Sequence, residues 1–150
     1  GASALGFAEI EIPFNVRQAT ISVSIPIAST AKIDAAGEIT FPDAQQLTNA
    51  SMAPVQLTNV AMSWTADAGS WVSDINALSA QLGIGSNRYV FSNGGSMAYS
   101  IPAAAGKVNG GGSLMLDWGM KLGAGNVLNY WNAGESVHMA DIVYTVKMAQ

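Results

Sequence analysis

The chain contains no cysteine, which excludes a disulfide scaffold and any metal site built on thiolates. Charge is also scarce: Asp, Glu, Lys and Arg make up 11% of the 150 residues, where about 25% is usual for a soluble domain. The 6 basic residues stand against 10 acidic ones, for a net charge of −4. A protein that binds a nucleic-acid duplex needs several lysines or arginines on the phosphates, so the composition excludes that class.

Long apolar runs are missing as well. The stretches without charge contain Ser, Asn, Gln and Gly throughout, and none reaches the roughly 20 apolar residues of a transmembrane helix. Hydrophobic residues nevertheless make up 49% of the chain, which is enough to form a core and excludes a charge-driven disordered tail. We therefore predict a single folded domain over residues 1–150, with no transmembrane segment.

The first residues, Gly1 to Ala4, are small, as residues around a signal-peptidase cleavage site are. They lack an initiator methionine, so we expect a secreted chain after removal of its signal peptide, or a cloning remnant at Gly1. The polar residues are mostly uncharged Ser, Thr, Asn and Gln, which agrees with an extracellular location at the cell surface.

Alternation of apolar and polar residues dominates the chain and predicts half-buried strands. One face of the segment 55–65 carries Val60, Met62 and Trp64, and the even-numbered residues share a face in the segments 114–122 and 138–148. Further strands are predicted over residues 7–14, 21–25, 31–33 and 39–41, with a turn at 34–37 between the last two. Asn93-Gly94-Gly95 predicts a tight turn and a hairpin between residues 88–92 and 97–101.

One segment departs from the alternation. Its apolar residues have helical spacing, Ser70 or Ser73 is a suitable N-cap and Gly83 a suitable end. These apolar residues are Trp71, Ile75, Leu78 and Leu82. Together the patterns predict an all-β fold, an antiparallel β-sandwich of the immunoglobulin-like or jelly-roll kind with one short helix.

The candidate catalytic groups do not combine into a site. His138 is the only histidine, and the Gly-x-Ser-x-Gly motif of a nucleophile elbow is absent. The carboxylates are scattered, and residues 34–38 lack the alternating oxygen ligands of an EF-hand loop. We therefore expect a protein that is not an enzyme, with no catalytic residue, cofactor or metal ion. Calcium held by backbone carbonyls and a Lys-Asn amide crosslink stay open alternatives.

Two motifs bear on binding and architecture. Asn129, Tyr130, Trp131 and Asn132 place aromatic rings between amides, which suits them to stack on and hydrogen-bond to a sugar, unless Trp131 closes the core. Asn49-Ala50-Ser51 matches the N-glycosylation acceptor pattern, but these side chains can also fold onto nearby backbone before Pro54, which is an architectural role.

A longer pattern resembles a known group of proteins. A turn of the Asp-x-x-Gly-x-Ile type at 34–39 leads to Leu-Thr-Asn-x-Ser-x-x-Pro-Val at 47–55, followed by Trp71 and a final strand at 142–147. This pattern is similar to secreted cell-surface β-sandwich proteins of Gram-positive bacteria, of the adhesin-like and camelysin-like, fibre-forming type. Two features of related wall proteins are absent, namely a Trp-x-Leu repeat and a Leu-Pro-x-Thr-Gly signal after Lys147.

The resemblance implies a non-enzymatic extracellular module, either for surface adhesion or as a fibre subunit. Its partner would be another protein or a second copy, joined through an edge strand, and the apolar extended segment 5–14 suits that assembly. The alternative is a carbohydrate-binding module that uses Tyr130 and Trp131 to bind a surface glycan.

Overall fold

The computed structural model describes residues 7–11, 22–24, 32–33, 38–40, 45–91, 96–123, 126 and 138–149. Within these ranges the chain forms two sheets and two short helices, which confirms the all-β, sandwich-like prediction. The strands are β1 (Phe7–Glu11), β2 (Val23–Ser24), β3 (Lys32–Ile33), β4 (Glu38–Thr40), β5 (Gln45–Asn49), β6 (Val55–Trp64), β7 (Ser79–Ile84), β8 (Asn87–Phe91), β9 (Ser96–Ser100), β10 (Lys107–Val108), β11 (Ser113–Lys121) and β12 (Ala140–Met148). The helices are α1 (Ala66–Trp71) and α2 (Ala103–Gly106), with a 3₁₀ turn at Ile75–Ala77.

The first sheet is built around the two long strands β6 and β12. Its order is β1-β12-β6, and β6 then pairs with both β9 and β10. The pairs are antiparallel except that of β1 with β12, which is parallel. β9 and β10 both pair with β6, and helix α2 connects them in the chain.

A β-bulge decides which β6 side chains face the core. The register with β12 shifts between Thr145 and Val146, and Thr58 on β6 is left without a partner residue. An unpaired residue reverses the alternation, so odd-numbered residues point inward before Thr58 and even-numbered ones after it. The buried residues that result are Val55, Leu57, Val60, Met62 and Trp64. The predicted shared face of the last three is confirmed.

The second sheet has β11 at its centre. This strand pairs with β4, β5 and β7, while β2 joins β5, β3 joins β4 and β8 joins β7, all antiparallel. The buried residues of β11 are Leu116, Trp118 and Met120, as the alternation predicts. On β12 the even-numbered residues Ala140, Ile142, Tyr144 and Val146 are likewise buried.

The core lies between the two sheets and contains a chain of aromatic contacts. The ring of Phe91 on β8 lies 5.5 Å from that of Trp118 and 5.1 Å from that of Tyr99 on β9. Trp118 in turn donates a hydrogen bond to the buried hydroxyl of Tyr144. Because burial disfavours the phenolate, it raises the pKa of Tyr144 well above its ordinary value.

The predicted hairpin of residues 88–92 and 97–101 is wrong. β8 pairs with β7 in the second sheet, whereas β9 pairs with β6 in the first. The predicted turn at 93–95 lies outside the described residues. A glycine-rich connection fits a hairpin and a crossing between sheets equally well. Phe91, 1% exposed, contacts Trp118 and Tyr99 together because its strand and β9 face each other across the core.

The predicted helix is displaced towards the N-terminus. Helix α1 begins at Ala66, and its cap is Thr65, whose Oγ1 accepts a hydrogen bond of 3.1 Å from the Ala68 N–H. Leu78 and Leu82 are buried, but Leu82 lies on strand β7. Over so short a segment, helical spacing and the spacing of buried strand residues can coincide. Leu82 belongs to a strand because its backbone pairs with β11.

None of the helices in the described ranges has the length and apolar character needed to cross a membrane.

Candidate functional site

Strand β1 forms one edge of the first sheet. Its residues run in register with β12 from Phe7 opposite Asp141 to Glu11 opposite Thr145, and both strands point the same way. In the described part of the chain, β12 is the strand with which β1 pairs. If β1 left, the backbone N–H and C=O groups along this edge of β12 would lose their partners, and such an edge accepts another strand readily.

A row of polar residues crosses the outer face of the same sheet. Asp141 on β12 is in register with Ser63 on β6, and Ser63 is in register with Ser96 on β9. Ser96 Oγ donates to Ser63 Oγ at 2.9 Å, and His138 Nε2 lies 2.6 Å from Asp141 Oδ1.

The arrangement around His138 differs from a catalytic triad. In a triad the imidazole lies between the hydroxyl and the carboxylate, whereas here the carboxylate residue Asp141 is the one in register with Ser63. The side chains of His138 and Asp141 are 22% and 46% exposed, so water screens their interaction. The main-chain carbonyl of His138 accepts a hydrogen bond from Thr65 Oγ1, which ties the start of β12 to helix α1.

The predicted sugar-binding residues Asn129, Tyr130, Trp131 and Asn132 lie outside the described residues. The described residue that precedes them, Asn126, is firmly held. Its Nδ2 donates to the carbonyls of Asp74 at 2.9 Å and Leu122 at 2.6 Å, and its Oδ1 accepts from the Asp74 N–H at 2.7 Å. On the other side, His138 is tied to Thr65. Both described flanks of this segment are therefore fixed next to α1 and the 3₁₀ turn.

Asn49 has the architectural role that its motif predicts. Its side chain is fully buried, and its Nδ2 donates to the carbonyls of Ala53 at 2.9 Å and Val108 at 3.0 Å. Its Oδ1 accepts from the Ser51 N–H at 3.0 Å. With both amide hydrogens directed to backbone carbonyls, Asn49 in the folded protein is not accessible as a glycan acceptor.

A pocket of about 460 Å³ lies on the outer face of the first sheet beside α2, and we name it the lysine pocket. Lys107 on β10 and Lys147 on β12 are both in register with Gln56 on β6, so they flank that residue on either side. The residues that line it are Gln56, Thr58, Ile101, Ala103, Ala104, Lys107, Lys147 and Ala149. The charged residues among them are the two lysines.

A second depression, of about 480 Å³, lies on the outer face of the second sheet. It exists partly because Gly119 has no side chain, and a Cβ there would meet nothing within 4 Å. Arg88, Asp117 and Lys121 line it, so it combines both signs of charge. Arg88 is already engaged, since its Nη1 donates to the carbonyl of Gly85 at 2.9 Å.

The lysine pocket was not predictable from the sequence. Lys107 and Lys147 belong to strands far apart in the chain, and no sequence motif contains both of them. Only the shared register with Gln56 brings them together, and no local pattern encodes that register.

The described ranges contain no group of three or more His, Cys, Asp or Glu side chains that could hold a metal ion. Comparisons with protein-family models, with curated proteins and with solved structures found no match for this chain. The resemblance to secreted surface proteins therefore stays a prediction.

Proposed function

We propose that this protein is a non-enzymatic extracellular module of the cell surface, an adhesion or fibre subunit that assembles by exchange of strand β1 between copies. The observation that carries the proposal is the position of β1. It precedes every other described strand and pairs with β12 in parallel at the edge of a sheet whose other pairs are antiparallel.

The geometry supports exchange because, among the described strands, β1 pairs with β12 alone, so its departure would leave the other described strand pairs in place. The edge that it vacates, over Asp141 to Thr145, accepts the same residues of a second copy with the same hydrogen bonds. Repeated head-to-tail exchange of this kind produces an open fibre, whereas reciprocal exchange between two copies produces a dimer.

Cysteine crosslinking tests this proposal cleanly, because the chain has no cysteine of its own. Glu9 and Val143 are in register, and neighbouring strands lie about 4.8 Å apart, within the range that a disulfide spans. We mix two singly substituted proteins, Glu9→Cys and Val143→Cys, and oxidise them. Exchange predicts a covalent dimer that contains one chain of each kind.

The matched control replaces Val143→Cys by Ser96→Cys, which lies on strand β9 at the opposite edge of the same sheet and is exposed. This mixture is expected to give little heterodimer. Light scattering provides a second measurement: deletion of residues 1–14 should convert assemblies into monomers. A full-length protein that stays monomeric at all concentrations, unchanged by the deletion, would contradict the proposal.

Carbohydrate binding is the second proposed function. Its support is that both described flanks of the segment with Tyr130 and Trp131 are fixed, by Asn126 and by the Thr65 contact to His138. Fixed flanks reduce the entropy that a binding loop loses on meeting its ligand. Trp131→Ala should abolish binding on a glycan array, whereas Val90→Ala, an exposed apolar residue on β8, should not. A wild-type protein that binds nothing on a broad array would rule this function out.

A further inference from the structure

The lysine pocket concentrates positive charge in a protein whose net charge is −4. Lys107 and Lys147 are exposed, and both are in register with Gln56 on the strand between them. Two strand spacings separate their Cα atoms, about 10 Å, and lysine side chains are long and flexible enough to converge on one ligand across that distance. In the described part of the chain, neither lysine has an acidic partner.

The floor of the pocket is buried and held by hydrogen bonds within the protein. Gln56 is only 7% exposed, and its Nε2 donates to the carbonyls of Leu57 at 2.9 Å and Pro102 at 3.4 Å. Helix α2 packs closely on the same strand, because a Cβ at Gly106 would lie 2.2 Å from the Leu57 carbonyl oxygen. A pocket formed in advance loses little free energy to ordering when a ligand binds.

The chemistry of the lining favours an anion with a small organic body. Two like charges on one pocket repel each other, and an anion placed between them replaces that repulsion by two attractions. Ala103 and Ala104 provide an apolar wall beside the lysines. Thr58 Oγ1 donates to the Thr145 carbonyl at 3.2 Å, which leaves the oxygen of that hydroxyl able to accept a hydrogen bond from a ligand hydroxyl.

We propose that the lysine pocket binds the phosphate or sulfate ester of a small hydroxylated molecule. The ester group lies between Lys107 and Lys147, and the carbon body lies against Ala103 and Ala104. The lining of this binding site includes no residue of β1, and Lys147 lies on β12 beyond Thr145, where the pairing with β1 ends. The two proposals are therefore tested separately.

The test is a titration of ¹⁵N-labelled protein followed by backbone amide shifts. The probes are glycerol phosphate and glucose 6-sulfate, with sodium chloride at equal ionic strength as the reference. Saturable shifts confined to the residues around the pocket are expected for at least one ester, and the comparison of the two shows whether phosphate or sulfate is preferred.

Five variants test whether binding depends on the two lysines of the pocket. Lys107→Gln and Lys147→Gln should each raise the dissociation constant about tenfold, because each removes one charge-assisted hydrogen bond. Lys121→Gln removes one positive charge from the second sheet, and it should change the dissociation constant by less than about twofold. The conservative variants Lys107→Arg and Lys147→Arg keep the charge and should retain binding, which also checks that the fold is intact.

The absence of saturable shifts with both esters would overturn the proposal. So would an equal loss of affinity in Lys121→Gln, because binding would then follow the total charge of the protein and not this pocket.

Discussion

Trp118 Nε1 donates a hydrogen bond of 2.8 Å to Tyr144 Oη across the interior of the sandwich. The donor lies on β11 in the second sheet and the acceptor on β12 in the first. Both side chains are buried, at 6% and 3% exposure. This contact is thus a polar link between the sheets inside a core that is otherwise mostly apolar, and a buried polar group that loses its partner is costly.

Tyr144→Phe should lower the free energy of unfolding by about 1–3 kcal/mol, because it leaves the buried Trp118 N–H without an acceptor. The matched control is Tyr99→Phe, which removes a hydroxyl that donates to the Val90 carbonyl at 2.6 Å in an exposed position. Urea denaturation of both variants is the measurement. An equal and small effect in the two would show that the link between the sheets adds nothing to stability.

Stability should also fall at alkaline pH through Tyr144. Burial raises the pKa of this phenol in the folded state above the unfolded value of about 10. The folded protein therefore holds the phenol proton more tightly than the unfolded chain does. The stabilisation that results from this difference is complete below about pH 10 and is lost as the pH rises beyond it. Unfolding free energies between about pH 9 and 11.5 should fall more steeply in wild type than in Tyr144→Phe, by up to about 1.4 kcal/mol per pH unit. Identical slopes would contradict this.

The two buried tryptophans should respond differently to the same substitution. Trp64 Nε1 is buried and has no hydrogen-bond partner among the described residues, whereas Trp118 Nε1 bonds to Tyr144. Trp64→Phe removes an unsatisfied donor and offsets part of the packing loss, so it should cost about 1–2 kcal/mol less than Trp118→Phe. Thermal unfolding of the two variants is the measurement, and a larger loss of stability for Trp64→Phe would contradict the prediction.

Asn49→Asp should destabilise the protein by about 2–4 kcal/mol at neutral pH. It replaces two buried donated hydrogen bonds by a carboxylate that faces the carbonyl oxygens of Ala53 and Val108. Asn109→Asp makes the same chemical change at an exposed position in the loop that follows β10, and it should be nearly neutral. If calorimetry found the two variants equally stable, the architectural role of Asn49 would be wrong.

Two glycine substitutions compare a closely packed position with an open one. A Cβ at Gly106 would meet the Leu57 carbonyl oxygen at 2.2 Å, whereas a Cβ at Gly119 would meet nothing within 4 Å. Gly106→Ala should therefore destabilise by about 1–3 kcal/mol through overpacking. Gly119→Ala should be neutral or slightly stabilising, since alanine loses less chain entropy in a strand. Equal melting temperatures would show that α2 can move away from β6.

Much of the secondary structure could be predicted, because alternation in a strand is a local property of the pleat. The buried faces of β11 and β12 follow directly from their even-numbered residues. β6 needed more than alternation, since the bulge at Thr58 reverses its inward parity. The hairpin of β8 with β9 failed for the opposite reason: the prediction depended on a local turn motif, but each strand pairs with a partner elsewhere in the chain.

The sequence by itself determined the fold class and the composition of the core, since these depend on residue types and on neighbours along the chain. Tertiary structure alone decided the parallel pairing of β1 with β12 and the meeting of Lys107 and Lys147 at Gln56. The physical reason is that strand register is set by backbone hydrogen bonds, which every residue except proline can make. A hydrophobic pattern therefore says which face of a strand is buried, but not which strand lies beside it.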